Sequence, residues 1–545
     1  MGPEPDGPRT VGAEHGITNV FVLMLENHSF DHVFAMSGIP GITVASLADQ
    51  NSYTPPGQVA PTTYHVRDGA PWSLSTDPGH EFPDVLRQLC NVAPGSNGDE
   101  VDCYRGGPYP PVDLSGFVAN YATSDSEKTG APAPDRVGDI MACFHTETQL
   151  PVIYQLAREY AICDAWFCSM PGPTWPNRFF VHGASASGMD GSPTVVEDIE
   201  WETVHGFTYA NGSIFDALSA AGHDYRLYQD KDNQFSDRPS HFVQGGWISQ
   251  VASLKGVSLL DIRSLRHFAA DLHDPAYQRC RYTFIEPNFG ASFLSRQGGE
   301  PGPRYTGGSA QHPEDDMYGG EGLIKHVYEA IRNSPVWGTS LLVIAYDEHG
   351  GFYDSVKPGP APPPDDLSPQ KLRERGLNRY GFDFGWYGPR VPAVVVSPLI
   401  PKGTVDHTVY DHTSILRTLG RWLDFPPLTS RDAQANDLLP LLESHGRPDE
   451  DCPRTLVEPV RPERVEHIWR KWADLVMHDG RLPEEGNTIG FLRVLLKSEL
   501  ELAGSDRERG KQIIDEFAKI SSMGRARNYV ERMWHTVVGA PERRG

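Results

Sequence analysis

The sequence predicts an α/β fold, with a mostly parallel central sheet flanked by helices and a C-terminal helical extension. Three observations predict it. Short apolar runs stop abruptly at polar residues, helix-period segments lie between those runs, and amphipathic helical patterns dominate the stretch after residue 455.

The first run, Val20 to Leu25 in "ITNVFVLMLENHSFD", is apolar without alternation and gives way at once to Glu26, Asn27 and His28. A strand buried on both faces reads this way. "YTFIEPN" repeats the shape and ends in Glu286 and Asn288, and "TSLLVIAYDEHGG" is apolar to Tyr346 and polar from Asp347. "RVPAVVVSP" runs to Ser397, with Pro392 at its start, where a strand tolerates proline. Helical patterns cover Glu147 to Tyr160, the segment after Gly320 and the segment from His412. In such a sheet, ligands bind just outside the carboxyl ends of the strands. Residues 44–140 are rich in Gly, Pro, Ser and Asp and read as long loops and insertions over the sheet edge. The predicted division is a main domain at 1–455 and a helical extension at 456–545. The extension comprises "VEHIWRKWADLVM", "IGFLRVLLKSELELA" and "RERGKQIIDEFAKISSM".

Composition narrows the function classes. With 39% hydrophobic residues, among them 23 Phe, 21 Tyr and 11 Trp, the chain can bury a sizeable core. Its 48 basic and 72 acidic residues give a formal charge of −24. That balance argues against nucleic acid as a partner and against adhesion to anionic membranes, leaving at most transient contact with a membrane surface. A small phosphorylated substrate stays compatible, because a bound cation and nearby histidines reverse the sign inside one cleft. No protein partner is implied. No stretch is long and apolar enough to span a bilayer. "MGPEPDGPRTVGAEHG" lacks a basic region followed by an apolar one, so it does not read as a signal peptide. The expected location is cytoplasmic for the chain as it stands, or secreted if a leader has been removed. Cys90 and Cys103 bracket a loop-like stretch and are either bridged or free, buried thiols.

Two strand ends carry adjacent oxygen-bearing pairs, Glu26–Asn27 and Asp347–Glu348. Three carboxylates converging on one sheet edge repel one another unless a cation lies among them. Oxygen-only donors favour one hard divalent metal ion, with Ca²⁺ favoured and Mg²⁺, Mn²⁺ or Zn²⁺ as alternatives. "MPGPTWPNRFF" then sets Thr174 among Pro171, Pro173 and Pro176, each of which fixes its own φ and restricts its neighbour. A hydroxyl held this way could become a nucleophile once a base or a metal favours its alkoxide. His80 in "STDPGHEF" and His312 in "AQHPEDD" occupy restricted loops, suited to neutralising phosphoryl oxygens and protonating a leaving group. His349 adjoins the acidic pair, and His412 at a helix start reads as structural. "HGASASG" lacks G-x-S-x-G, and neither GxxxxGK[ST] nor HExxH occurs.

"ENHSFDHVF", "DPGHEF", "CDAWFCSMPGPTWPNRFFVHG", "IEPNFG", "YDEHGGFYD" and "YDHTSILRTL" together resemble the phosphoesterase family of non-haemolytic and plant non-specific phospholipases C and bacterial acid phosphatases. The match runs in order from about Val20 to Leu423. It implies a fold of the alkaline phosphatase and sulfatase type. It also implies Glu26, Asn27, Asp347 and Glu348 as metal ligands, with Thr174 as a further ligand and the nucleophile. It places His80, His312 and His241 in the phosphate pocket; His349, beside the acidic pair, is expected to bind substrate as well, and His312 or His80 to protonate the leaving group. Two departures stand out. His28 replaces a usual arginine, and "AQHPEDD" keeps His312 but loses the acidic pair before it.

The activity this implies is metal-dependent phospholipid hydrolysis through a phospho-threonine intermediate, giving diacylglycerol and a phosphorylated head group. An acid phosphatase acting on small soluble phosphoesters uses the same residues. A non-catalytic phospholipid-binding protein on the same fold is the third reading.

Overall fold

The computed structural model describes residues 16–92, 104, 106–124, 126, 130–194, 206–236, 245–293, 304–462 and 480–537. Runs rich in Val, Leu, Ile, Phe and Tyr, buried at every position but Arg281, form the middle of its main sheet. The strands are β1 (Asn19–Leu25), β2 (Ala161–Cys163), β3 (Asp224–Gln229), β4 (Arg263–Ser264), β5 (Cys280–Glu286), β6 (Ser340–Tyr346), β7 (Ala393–Val396) and β8 (Thr404–Asp406). Their spatial order is β8-β2-β7-β6-β1-β5-β3-β4. β1 lies at the centre, parallel to both β6 and β5. Each fully buried aliphatic or aromatic side chain in these strands contributes roughly 1.5–3 kcal/mol.

The sheet is mostly parallel, as the alternation of runs and helices predicts. The exception is β7, antiparallel to β6 and β2. A parallel neighbour needs a crossover that returns the chain to the opposite edge. After β6 the chain makes no such crossover. It passes through loops and the short helix Pro369–Arg375, and re-enters reversed. Ser397 therefore leaves at the far edge, and Arg390 is brought to the edge where β1 and β6 end.

The helices around the sheet include α1 (Phe30–Phe34), α2 (Phe82–Cys90), α3 (Pro151–Glu159), α4 (Thr174–Gly183), α5 (Tyr318–Arg332) and α6 (Thr413–Leu423), followed by α7 (Asn487–Ala503), α8 (Arg507–Phe517) and α9 (Met523–Val537). The single helix expected over Glu147 to Tyr160 is two, Thr146–Gln149 and α3, broken at Leu150. Pro151 is the reason: it disfavours helical geometry before it and suits a first helical turn. Phe491, Leu495, Met523, Val530 and Met533 of α7 and α9 belong to the same core as the sheet. "VEHIWRKWADLVM" and Cys103 lie outside the described residues. No described helix is long and apolar enough to cross a membrane.

The stretch read as loops over 44–140 has a core of its own, a difference from the sequence reading. Gln50–Tyr53 pairs with Thr62–His65, and Arg67–Asp68 pairs with Ala142–Cys143. Val66, Val85, Leu89, Phe117 and Val118 pack there with Phe352 and Tyr353 from "HGGFYD". Most of its elements are two to five residues long, too short to display a period.

One buried acid ties the frame together. Glu321 on α5 accepts hydrogen bonds from Val152 N (2.7 Å) and Ile153 N (3.0 Å), both in the first turn of α3. Glu321→Ala strands two buried N–H groups, for an expected loss of roughly 2–4 kcal/mol. A lower midpoint in urea unfolding checks this, and a wild-type midpoint contradicts it.

Candidate active site

Leu25 of β1 lies opposite Tyr346 of β6, so Glu26 and Asp347 leave the sheet side by side. Backbone pairing carries on past both strands. Asp347 N donates to Leu25 O (3.2 Å), and His28 N donates to Glu348 O (2.9 Å). Asn27 adopts a left-handed φ of 60°, a conformation asparagine tolerates better than most residues. There its N–H donates to Asp347 Oδ1 (3.0 Å) and its side-chain amide donates to Glu348 Oε1. Gly350 packs on this turn with φ +64°, where a Cβ would stand 2.0 Å from Asn27 O. Only glycine meets both conditions.

Asp347 is fully engaged. Its Oδ1 also accepts from Glu348 N (2.7 Å), and its Oδ2 accepts from Arg178 Nε (2.9 Å). Arg178 reaches on to Glu286 Oε1 (3.3 Å) and to the carbonyls of Met24 and Leu25. Glu26, Asn27, Arg178, Glu286, Asp347 and Glu348 are all buried. Both Glu26 carboxylate oxygens and Asn27 Oδ1 find no hydrogen-bond partner among the described residues. Burial, then the neighbouring Asp347, lifts the Glu26 carboxyl well above the usual range. Burial likewise lifts Asp347 to about 6 against the pull of Arg178.

Thr174 opens α4, behind Pro173 in extended geometry. Asn177 holds the preceding loop. Its Oδ1 accepts from Met170 N (3.0 Å), and its amide donates to the carbonyls of Met170, Gly172 and Pro173 at 3.0–3.2 Å. Thr174 is buried, and its hydroxyl has no hydrogen-bond partner among the described residues. Arg178 lies one turn on and shares its helical face. The helix that presents Thr174 therefore grips Asp347 with its next turn.

The histidines divide into groups. His80 Nδ1 donates to Pro78 O (2.8 Å), 3.9 Å from Asp77 Oδ2. Burial pushes the His80 imidazole down, but Asp77, followed by Glu348 and Glu81, outweighs burial and holds it at about 10. His312 Nε2 stands 3.8 Å from Asp77 Oδ1, and the His80 and His312 ring centroids are 6.2 Å apart. Burial, then the charge of His80, keeps His312 well below the usual range. His349 is turned inward, with Nε2 at 2.7 Å from Gln88 Oε1 and Nδ1 at 3.3 Å from Glu348 Oε2. His412 Nε2 donates to Asp347 O (2.6 Å) while Trp166 Nε1 donates to its Nδ1 (3.3 Å). His28 stacks on Phe144 and Tyr346 and meets His32 and Phe352 edge-on, and burial lowers it to about 4. His241 lies outside the described residues.

Sequence reasoning gave no role to Arg178, Asn177 or Asp77. The available signals were the "PNR" that follows Thr174 and the three-residue step from Asp77 to His80. Asp31 and Asp354, acids of two quoted motifs, prove to share one partner. Arg390 binds Asp354 at 2.8 and 3.2 Å and stands 3.2 Å from Asp31.

Two groups of side chains are candidates for holding a cation. Glu26 and Asn27 carry oxygens without a partner among the described residues, at the strand end they share with Asp347 and Glu348, an oxygen-only set. Asp77, His80 and His312 form a buried triad whose ligand atoms all lie within 4.8 Å of one another. The model for the phosphoesterase family matches residues 17–426, three quarters of the chain. The chain belongs to the phosphoesterase family. Membership makes this phosphoesterase a hydrolase of phosphoric esters. It is 30% identical to the non-specific phospholipase C3 of Arabidopsis thaliana over 83% of this chain and 78% of that one. It is 26% identical to phospholipase C B of Mycobacterium tuberculosis, over 82% and 83%. Among solved structures, a protein in the alkaline phosphatase superfamily from Vibrio parahaemolyticus aligns over 53% of this chain and 64% of that one. The identity is 13% and the TM-score 0.28.

Arg178→Gln leaves Asp347 and Glu286 buried without their guanidinium. The expected loss is about 3–5 kcal/mol, seen as a lower denaturation midpoint. An unchanged midpoint contradicts the ion-pair role.

Proposed function

We propose that this phosphoesterase is a phospholipase C acting on phospholipids, with Thr174 as nucleophile and one divalent cation at Glu26, Asn27, Thr174, Asp347 and Glu348. The observation that carries the reading is the buried, partnerless hydroxyl of Thr174, at the head of the helix whose next turn holds Asp347. A buried hydroxyl without a partner costs about 1–3 kcal/mol, and such groups mark places where a ligand completes the bonding. The relatives, phospholipases C of a plant and a bacterium, support the substrate class.

When bound, a divalent cation supplies Lewis-acid polarisation of a phosphoryl oxygen and favours the alkoxide of a hydroxyl. The chain supplies the rest. The Thr174 proton leaves to solvent before attack. The Thr174 Oγ–P bond then forms in line as the bond from phosphorus to the glycerol oxygen breaks. His80, which Asp77 keeps protonated, gives the departing oxygen its proton, and His312 stays neutral beside it. The products of this step are diacylglycerol and a head-group phosphate on Thr174. In the second step His80 takes a proton from the water that attacks phosphorus, which frees Thr174 and the phosphorylated head group.

Thr174→Ala lowers turnover of phosphatidylcholine at least about a thousandfold. Equal turnover by variant and wild type sinks the mechanism. Wild-type kcat/KM is expected to be higher for phosphatidylcholine than for p-nitrophenyl phosphate, and the reverse order would favour the phosphatase reading.

Chelation lowers Tm and added Ca²⁺ restores it, whereas Glu26→Ala gives no cation-dependent shift. A shift that survives in Glu26→Ala and disappears in His312→Ala would move the ion to the Asp77–His80–His312 triad.

A further inference from the structure

Trp175 follows Thr174 directly and is 2% exposed. Its indole Nε1 donates to Asn487 Oδ1 at 2.5 Å, across 312 residues of sequence. Asn487 is the first residue of α7. One turn later, Gly490 faces the same indole. A Cβ at position 490 would stand 2.1 Å from Trp175 Cζ2 and within 2.7 Å of two further ring carbons. Glycine is the weakest helix former apart from proline, and here the space above the ring requires it. Phe491 completes the contact. Its ring centroid lies 6.1 Å from that of Trp175 and 5.4 Å from that of Phe289. The Arg178 guanidinium lies over Phe289, 5.1 Å from the ring centre.

The segment leading into α7 is anchored on the same side. Gly486 N donates to Pro193 O (3.0 Å), Glu485 pairs with Thr194 in an isolated bridge, and Arg379 binds Glu485 at 2.7 Å. The first turn of α7 thus touches Trp175, the residue after Thr174, and Phe289, on which Arg178 lies. It holds Trp175 beside Thr174, and through Phe289 it backs Arg178, which holds Asp347.

We infer that α7 is a working part of the active site, in which Asn487 and Gly490 are positioning residues that fix the orientation of Thr174 by locking the Trp175 indole. The inference rests on Thr174 being the nucleophile. It assigns to the C-terminal helix a role in the chemical step beyond closing the core. Displacing a reacting group by about an ångström costs up to a hundredfold in rate, whereas binding contacts away from it are untouched. The loss therefore falls on kcat and spares KM.

The test compares full-length variants on the soluble diester p-nitrophenylphosphocholine, with Tm measured on each. Gly490→Ala forces the indole to move, although alanine strengthens the helix itself. Its kcat is expected to fall about tenfold or more, with KM within about twofold. Asn487→Ala loses several-fold in kcat, and Asn487→Asp, which keeps an acceptor for the indole, restores it. Val494→Ala trims a buried α7 side chain one turn beyond Gly490 and is expected to lower Tm while leaving kcat unchanged. Wild-type kcat in both Gly490→Ala and Asn487→Ala overturns the inference, and so does a Val494→Ala variant whose kcat falls in step with its Tm. If Gly490→Ala does not fold, the Asn487 pair decides. Thr174→Ala, assayed in parallel, separates the two levels. If it is inactive while the α7 variants are normal, only the inference fails; if it is active, the nucleophile reading and the inference fail together.

Discussion

Four buried carboxylates, Glu26, Glu286, Asp347 and Glu348, meet at the end of β1 with one guanidinium, Arg178, between them. Burying an uncompensated charge costs several kcal/mol, and Arg178 offsets only part of this cluster. Arg178 is already committed to Asp347 and Glu286. Glu26 is left with two oxygens that lack a partner among the described residues, and burial and the neighbouring acids raise its pKa. A proton on that carboxyl still leaves the oxygens of Asn27 and Thr174 without partners among the described residues. Under the proposed function, one hard cation would complete all three. The rest of the site follows from placing that edge. β1–β6 pairing sets Glu26 beside Asp347, the left-handed Asn27 binds Asp347 through its backbone N–H and Glu348 through its side-chain amide, and glycine at 350 lets the chain close over them.

The surrounding structure keeps this edge rigid through a second buried guanidinium. Arg390, brought to the edge by the reversed β7, holds Asp31 and Asp354, which follow the Glu26–Asn27 and Asp347–Glu348 pairs in sequence. The small core under residues 44–140 does the same for the histidine side. It anchors α2, whose Gln88 holds both Gly79 O and His349 Nε2. Gly351 packs with φ +73° and a would-be Cβ 2.7 Å from Gly79 O, so the "HGG" turn and the His80 loop are fitted to each other. Acid and histidine groups thus share one scaffold, although they come from loops far apart in the chain.

Much of this was legible in the sequence. The apolar runs at β1, β5 and β6 gave correct strands, because a strand buried on both faces needs no alternation to stand out. The polar pairs after β1 and β6 were conspicuous because they break those runs. What escaped notice depends on partners distant in sequence. The reversal of β7 is decided by the route of the intervening loops, and β7 itself reads like any parallel strand. Arg178 looks like an ordinary helical arginine until Asp347 is set beside it. The Trp175–Asn487 contact joins residues 312 apart and leaves no local pattern. Short elements over 44–140 lack a period, and the break at Leu150 was hidden by apolar spacing that continues across Pro151.

The most direct test of the account is an anomalous difference map from crystals grown with Mn²⁺. The account predicts a single strong peak bounded by Glu26, Asn27, Asp347, Glu348 and the Thr174 hydroxyl. A peak only among Asp77, His80 and His312, or no peak in protein that still turns over phosphatidylcholine, would contradict it.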